Sequence, residues 1–238
     1  MPEAHTVSSY DDELRFLVRR LSEMGGIAER MVADAVAALV NADTASAQRV
    51  ISEDLLLDAG EREIYDKAVL VIAKRQPMAS DLREIIGSIR IASDLERVGD
   101  LGKNIAKRVI AVHTMAQPRK LVRGLEHLAE LALTQLKEVL DAFATRSPHL
   151  ANSIRERDEE IDAIYTSLFR ELLTYMMEDP RNISSCTHLL FMAKNIERIG
   201  DHATNVAENV IFLIEGDTPT DRRPKGDASS YTVVEPET

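Results

Sequence analysis

The chain has no tryptophan, and only five tyrosines and five phenylalanines in 238 residues. A core with so few rings must be aliphatic, and the abundance of Ala, Leu, Ile, Glu and Arg favours helix over strand. A single cysteine, Cys186, leaves no internal disulfide to form and no thiolate metal site; it suits a reducing compartment. Ten glycines and eight prolines leave long stretches unpunctuated, yet no stretch reaches the roughly eighteen apolar residues of a membrane span. The opening MPEAHTVSSYDDEL lacks a basic n-region and an apolar h-region, so the chain is expected to be soluble, unexported and cytoplasmic. Positive charge is also short, with 29 Lys and Arg against 40 Asp and Glu and a net charge of −11. That balance argues against nucleic acid and anionic lipid and favours cations or basic protein surfaces as partners. No Gly-rich phosphate loop, G-x-S-x-G or Cys/His pair occurs, and no enzymatic turnover is expected.

What is present is helical periodicity. A first helix opens near Ser8 or Ser9, either of which could cap it, with Asp11, Asp12 and Glu13 complementing its dipole. Further helices are predicted over Thr44–Arg75, Asp81–His113, Lys120–Thr145, Ala151–Met177 and Ile183–Glu215, separated by breaks at Pro77, Pro118, Pro148 and Pro180. Asp81, with Glu84 three positions on, reads as an N-cap. Six helices with short connections make an all-α chain of two pseudo-symmetric antiparallel three-helix bundles, residues 8–116 and 119–215. From Gly216 onward few apolar residues occur, and 216–238 reads as a disordered tail.

The most telling feature is an internal repeat. Ile91–Ile110 and Met192–Ile211 align without a gap at a displacement of 101 residues, with nine of twenty positions identical. The shared pattern is E-R-x-G-D-x-x-x-N, so Glu96, Asp100 and Asn104 recur as Glu197, Asp201 and Asn205, each set on one helix face. Upstream, Asp54, Asp58, Glu61, Tyr65, Ala68 and Ile72 trace a stripe along the second helix, and Asp158, Asp162, Tyr165, Phe169, Leu172 and Met176 trace its counterpart in the fifth. The apolar half of each stripe must face the core, so the acidic half is expected on the same buried side.

One acidic pair on a helix is ordinarily a solvated face. Four in repeated register, each prolonging an apolar stripe, pose an electrostatic problem: two like charges about 4 Å apart cost about 4 kcal/mol at an effective dielectric of about 20, against a domain stability of about 5–15 kcal/mol. Protonation, arginine pairing or a metal could neutralise them. Arg97 and Arg198, adjacent to the glutamates, point about a hundred degrees away from them. The pattern therefore points to metal, with Asp54, Asp58, Glu96 and Asp100 in one site and Asp158, Asp162, Glu197 and Asp201 in the other. All-oxygen ligands, an Asn amide among the candidates, suit hard ions such as Mg, Mn, Ca or oxidised Fe better than Zn. Gly99 and Gly200, mid-helix, call for the close approach of a helix or a ligand, and His202 is expected at the surface.

These helices, the upstream Asp-x-x-x-Asp pairs and the segment Gln76-Pro77-Met78-Ala79-Ser80-Asp81-Leu82-Arg83, which fits Q-P-x-A-x-D-L-R, resemble the PhoU family over about residues 5–215. The resemblance implies two three-helix bundles, metal clusters bound through E/D-x-x-x-D motifs, and negative control of phosphate uptake and of the phosphate-starvation response. It also implies contacts with the phosphate ABC transporter ATPase and a sensor histidine kinase, and so a peripheral association with the membrane through those partners. A homo-oligomer, a dimer first of all, is the expected assembly. The second half departs from the pattern: it has Glu178-Asp179-Pro180-Arg181-Asn182 in place of the loop signature, and Tyr165 where the first has Glu61. Two other classes compete. A di-iron oxidase needs Glu-x-x-His motifs, of which there is none; a helical adaptor could use the same acidic stripes to bind basic partner helices without metal.

Overall fold

The structure, a computed structural model, describes residues 8–217 apart from the side chains of Ser8, Ser9 and Asp158. The cap assigned to Ser8 or Ser9 and, from residue 218, the tail therefore lie outside the described residues. The helices are α1 (Ser8–Asn41), α2 (Thr44–Arg75), α3 (Ala79–Val112), α4 (Arg119–Thr145), α5 (Pro148–Glu156), α6 (Asp158–Glu178) and α7 (Ile183–Glu215), with a 3-10 turn at Pro180–Asn182. Among the described residues there is no strand, and no helix is long and apolar enough to cross a membrane.

The breaks follow from local chemistry. The Asp43 carboxylate accepts from the backbone N–H groups of Ala45 and Ser46, both at 3.0 Å, and so starts α2. At its other end Gln76 turns left-handed at φ 49° and donates its N–H to the Ile72 carbonyl, with Pro77 barring continuation. The Ser147 hydroxyl accepts from Leu150 N–H, and Pro148 occupies the first position of α5, where a missing N–H costs nothing.

Two expectations need correction. The third helix starts at Ala79, with extended Met78 before it, so Asp81 lies inside the first turn; its carboxylate accepts from the Tyr10 hydroxyl at 3.1 Å rather than capping. The fifth helix, predicted as one piece, begins at Pro148 and is interrupted at Arg157, whose φ/ψ of −93°/0° leaves the helical ladder. No Gly or Pro marks that break. The Arg157 side chain instead donates to the Ser153 carbonyl at 3.3 Å and pairs with Glu138 of α4.

α1, α2 and α3 pack together as one bundle, and α4, α5, α6 and α7 as the other. The cores are aliphatic, with Leu17, Met24, Leu57, Ile64 and Leu95 fully buried in the first and Leu125, Leu136, Leu172 and Met192 in the second; each such side chain contributes about 2 kcal/mol of burial. α3 and α7 run antiparallel against each other across the middle, where Gly87 meets Leu213, Asp94 meets Asn205 and the Arg108 guanidinium lies 4.3 Å from the Phe191 ring centre. Each bundle thus turns one face of its repeat helix towards the other bundle and another towards its own acidic helix.

Candidate metal centre

The mid-helix glycines position the site. A Cβ on Gly99 would stand 2.2 Å from Leu57 Cδ1, and one on Gly200 would stand 2.9 Å from Ile161 Cδ1. A neighbouring helix, not a ligand, is what approaches them: α2 lies close on α3, and α6 on α7. At that spacing the carboxylates on facing helices share one groove.

In the first groove Asp54 and Glu96 are buried, while Asp58, Glu61 and Asp100 sit half-buried at the edge. The core stripe of α2 is rotated slightly from the predicted one: Val50, Asp54, Leu57, Ile64, Ala68 and Val71 face inward, and Tyr65 is 56% exposed. Lys103, one turn beyond Asp100, sends its Nζ to Asp54 Oδ2 and Asp100 Oδ1, each at 2.5 Å, so those two oxygens lie within twice that distance of each other. Burial works against the Lys103 ammonium, but its hydrogen bonds to Asp100 and Asp54 outweigh burial and hold its pKa well above the ordinary value. Asp100 is buried too, yet Lys103 and Arg97 keep its carboxyl below the usual range. Arg97 also corrects the sequence reading, since its Nε lies 3.4 Å from Glu96 Oε2 and its Nη1 3.1 Å from Asp100 Oδ2. The long side chain bends back over a face that its Cα–Cβ bond does not point to. Glu96 nonetheless titrates high, first because it is buried and then because Asp100, Glu61 and Asp58 are near.

The second groove holds the drier glutamate. Glu197 is 5% exposed; its Oε1 takes a hydrogen bond from Lys194 Nζ at 2.9 Å, and its Oε2 is buried with no hydrogen-bond donor. Burial, opposed by Lys194 and reinforced by Asp201 and Asp162, pushes its carboxyl up to about 7. Lys194 also stands 4.9 Å over the Tyr165 ring, which occupies the place of Glu61. The position corresponding to Lys103 is Thr204, fully buried, whose hydroxyl accepts from Gln135 of α4 at 2.9 Å. Asp158 opens α6, and its side chain lies outside the described set.

The structure therefore gathers Asp54, Asp58, Glu96 and Asp100 in one groove and Asp162, Glu197 and Asp201 in the other. Among the described residues, no three His, Cys, Asp or Glu side chains converge as the shell of one ion. The donor set nevertheless fits a hard cation: every candidate ligand is a carboxylate, and both Glu96 Oε2 and Glu197 Oε2 are buried without a hydrogen bond. The repeated asparagines do not belong to it. Asn104 is exposed, and Asn205 donates to Asp94 of α3 at 3.3 Å. His202, expected at the surface, is half-buried beside the same carboxylate, with Nδ1 2.9 Å from Asp94 Oδ1. The sequence reading missed both Lys103 and Asp94. Lys103 stands three positions from Asp100, on the same helix face, a spacing that could have revealed it.

The PhoU domain matches the chain twice, over residues 21–109 and 125–210, once in each half. The chain is 72% identical to the phosphate-specific transport system accessory protein PhoU homolog of Rhizobium meliloti (strain 1021), covering 97% of both chains. It is 50% identical to the PhoU homolog of Caulobacter vibrioides (strain NA1000 / CB15N), over 95% of this chain and 98% of that one. Its fold is similar to the crystal structure of PhoU from Pseudomonas aeruginosa, with a TM-score of 0.83 at 40% identity over 87% of this chain and all of that one. It is also similar to the phosphate transport system regulatory protein PhoU from Streptococcus pneumoniae, with a TM-score of 0.81 at 29% identity over 88% and 99%. Two domain matches in register with two acidic grooves, on one shared fold, lead to a single assignment: the chain belongs to the PhoU family.

Proposed function

We propose that the chain is a non-catalytic accessory regulator of phosphate-specific transport, which restrains phosphate uptake and the phosphate-starvation response when phosphate is plentiful. Its relatives are named as accessory proteins of that system. In this reading it docks from the cytoplasm on the transporter ATPase and the associated sensor histidine kinase, as a homodimer. A net charge of −11 supports docking on basic partner surfaces.

The observation that carries the mechanism is the paired acidic groove, α2 against α3 and α6 against α7, each with a buried glutamate oxygen that receives no hydrogen bond. Asp54, Asp58, Glu96 and Asp100 would hold a hard metal ion in the first groove, and Asp158, Asp162, Glu197 and Asp201 in the second, with Mg, Mn or Fe preferred to Zn. A bound ion would supply positive charge and a cross-link between the two helices of each groove. The protein's own contribution is to keep the carboxylates close and largely dry, so that helix spacing depends on which cation lies among them. The metal-free adaptor reading retains one supporting observation, because the first groove already accepts an ammonium. Deleting the gene should raise phosphate uptake and phosphate-regulated expression under phosphate-replete conditions, and Asp100→Ala with Asp201→Ala should reproduce part of that effect. Normal repression in the deletion strain, with no paralogue present, would overturn the assignment.

A further inference from the structure

We infer that the outer face of α2 is a self-complementary surface on which two copies of the chain pair, their α2 helices antiparallel about a two-fold axis between Arg62 and Glu63. The inference rests on the homodimer reading and assigns it a surface. α2 packs on α1 and α3, which leaves one side turned to solvent. Leu55, Ala59, Arg62, Asp66, Leu70 and Ala73, at steps of 4, 3, 4, 4 and 3, run along that side with Leu56, Glu63 and Val69 beside them, and all nine are exposed. Leu55, Leu56, Val69 and Leu70 are between 48% and 69% exposed. Single exposed leucines are ordinary. These four stand as two apolar pairs at either end of a charged middle, an order that a two-fold axis requires.

In antiparallel helices the numbers of facing residues have a constant sum. With Arg62 set against Glu63 of the second copy, Leu55 meets Leu70 of that copy, Leu56 meets its Val69 and Ala59 meets its Asp66, and the two-fold axis repeats each contact. The Arg62 guanidinium then has Glu63 opposite and Asp66 one turn along. Within one chain Glu63 is held by Arg20 at 2.9 Å, yet its side chain is still 53% exposed and open to a second cation. Shifted by seven residues either way, the same face would set leucine against charge, Leu70 on Arg62 or Leu55 on Glu63. The apolar ends thus supply the burial and the charged middle fixes the register. The repeat provides an internal control. In α6 the positions of Leu55, Leu56 and Leu70 are Glu159, Glu160 and Thr174, all exposed. The fold therefore does not need leucine there, and with one such face per chain the pairing closes as a dimer and does not propagate.

Sedimentation equilibrium of the full-length chain tests this with wild type, Leu55→Glu combined with Leu70→Glu, Arg62→Asp, and Asp66→Arg. Wild type should be a dimer. The combined leucine variant should weaken association about a hundredfold and each charge variant about tenfold, because each sets like charges across the axis. An equal mixture of Arg62→Asp and Asp66→Arg should regain most of the wild-type affinity, since an acidic face then meets a basic one. That gain cannot come from a chain that fails to fold. If wild type is a dimer but the leucine and charge variants associate as it does, or if the mixture gains nothing over the separate charge variants, the inference fails while the homodimer reading stands. If wild type is monomeric throughout, the homodimer reading fails and takes the inference with it.

Discussion

The two grooves repeat their acids but not the residues around them. In the first, Lys103 bridges α2 and α3 and Arg97 lies beside Glu96 and Asp100; in the second, Thr204 stands at the position of Lys103, and Glu197, at 5% exposed, is drier than Glu96 at 9%. The supporting helices differ as well, since α2 is continuous while its counterpart is split at Arg157. A repeated ligand pattern therefore does not make two equal sites. What surrounds the carboxylates differs, most plainly at the position that is Lys103 in the first groove and Thr204 in the second.

The largest expected difference is in pH dependence without metal. The Glu197 carboxyl, lifted by burial to about 7, holds a proton in the folded chain that the unfolded chain releases near the ordinary carboxylate value. Its contribution is fully present below that ordinary value and is lost as pH rises through about 7, a change of about 3 kcal/mol. Urea midpoints of chelator-treated protein should fall between about pH 5 and about pH 8, and Glu197→Gln should remove most of that fall. Glu96 is raised in the same direction, but Arg97 opposes it, so Glu96→Gln should flatten the profile less. Equal effects of the two variants would break the asymmetry.

Next in size, Lys103→Met in metal-free protein leaves Asp54 buried without its ammonium and Asp100 with Arg97 alone, and should cost about 2 kcal/mol in a urea titration. Saturating manganese should restore most of the loss in Lys103→Met. The glycines extend the comparison to packing. Gly99→Ala would press a Cβ to 2.2 Å from fully buried Leu57, and Gly200→Ala to 2.9 Å from Ile161. The first should lower stability by about 1–2 kcal/mol, and the second should come out near zero once the gain in helix propensity is counted. An effect of about 1 kcal/mol is expected of Asp94→Ala, which removes the acceptor that His202, Asn205 and Asn209 share across α3 and α7.

Much of this architecture was legible because helix breakers announce themselves. Pro77 and Pro180 precede α3 and α7 as expected from sequence, α2 and α7 span the predicted residues, and the E-R-x-G-D-x-x-x-N repeat placed Glu96 and Glu197 on buried faces. What stayed hidden depends on side chains that reach beyond their own turn. The break at Arg157 comes from a guanidinium bound to a carbonyl of its own helix and to Glu138 of another, which no local propensity encodes. Likewise Lys103 and Arg97 neutralise acids through flexible stems, and the direction of Cα–Cβ alone says little about where such a charge ends. Asp94 was invisible because its partners come from the other repeat, more than a hundred residues away.

The central claim is that the grooves are cation sites built from these carboxylates. Its most direct test is the metal-to-protein ratio, by plasma emission spectrometry, of chelator-stripped protein refilled with manganese and freed of excess ion. Wild type should retain at least one ion per repeat, and the combined Asp100→Ala and Asp201→Ala variant, with helical content preserved by circular dichroism, should retain none stoichiometrically. An unchanged ratio in that variant would contradict the account.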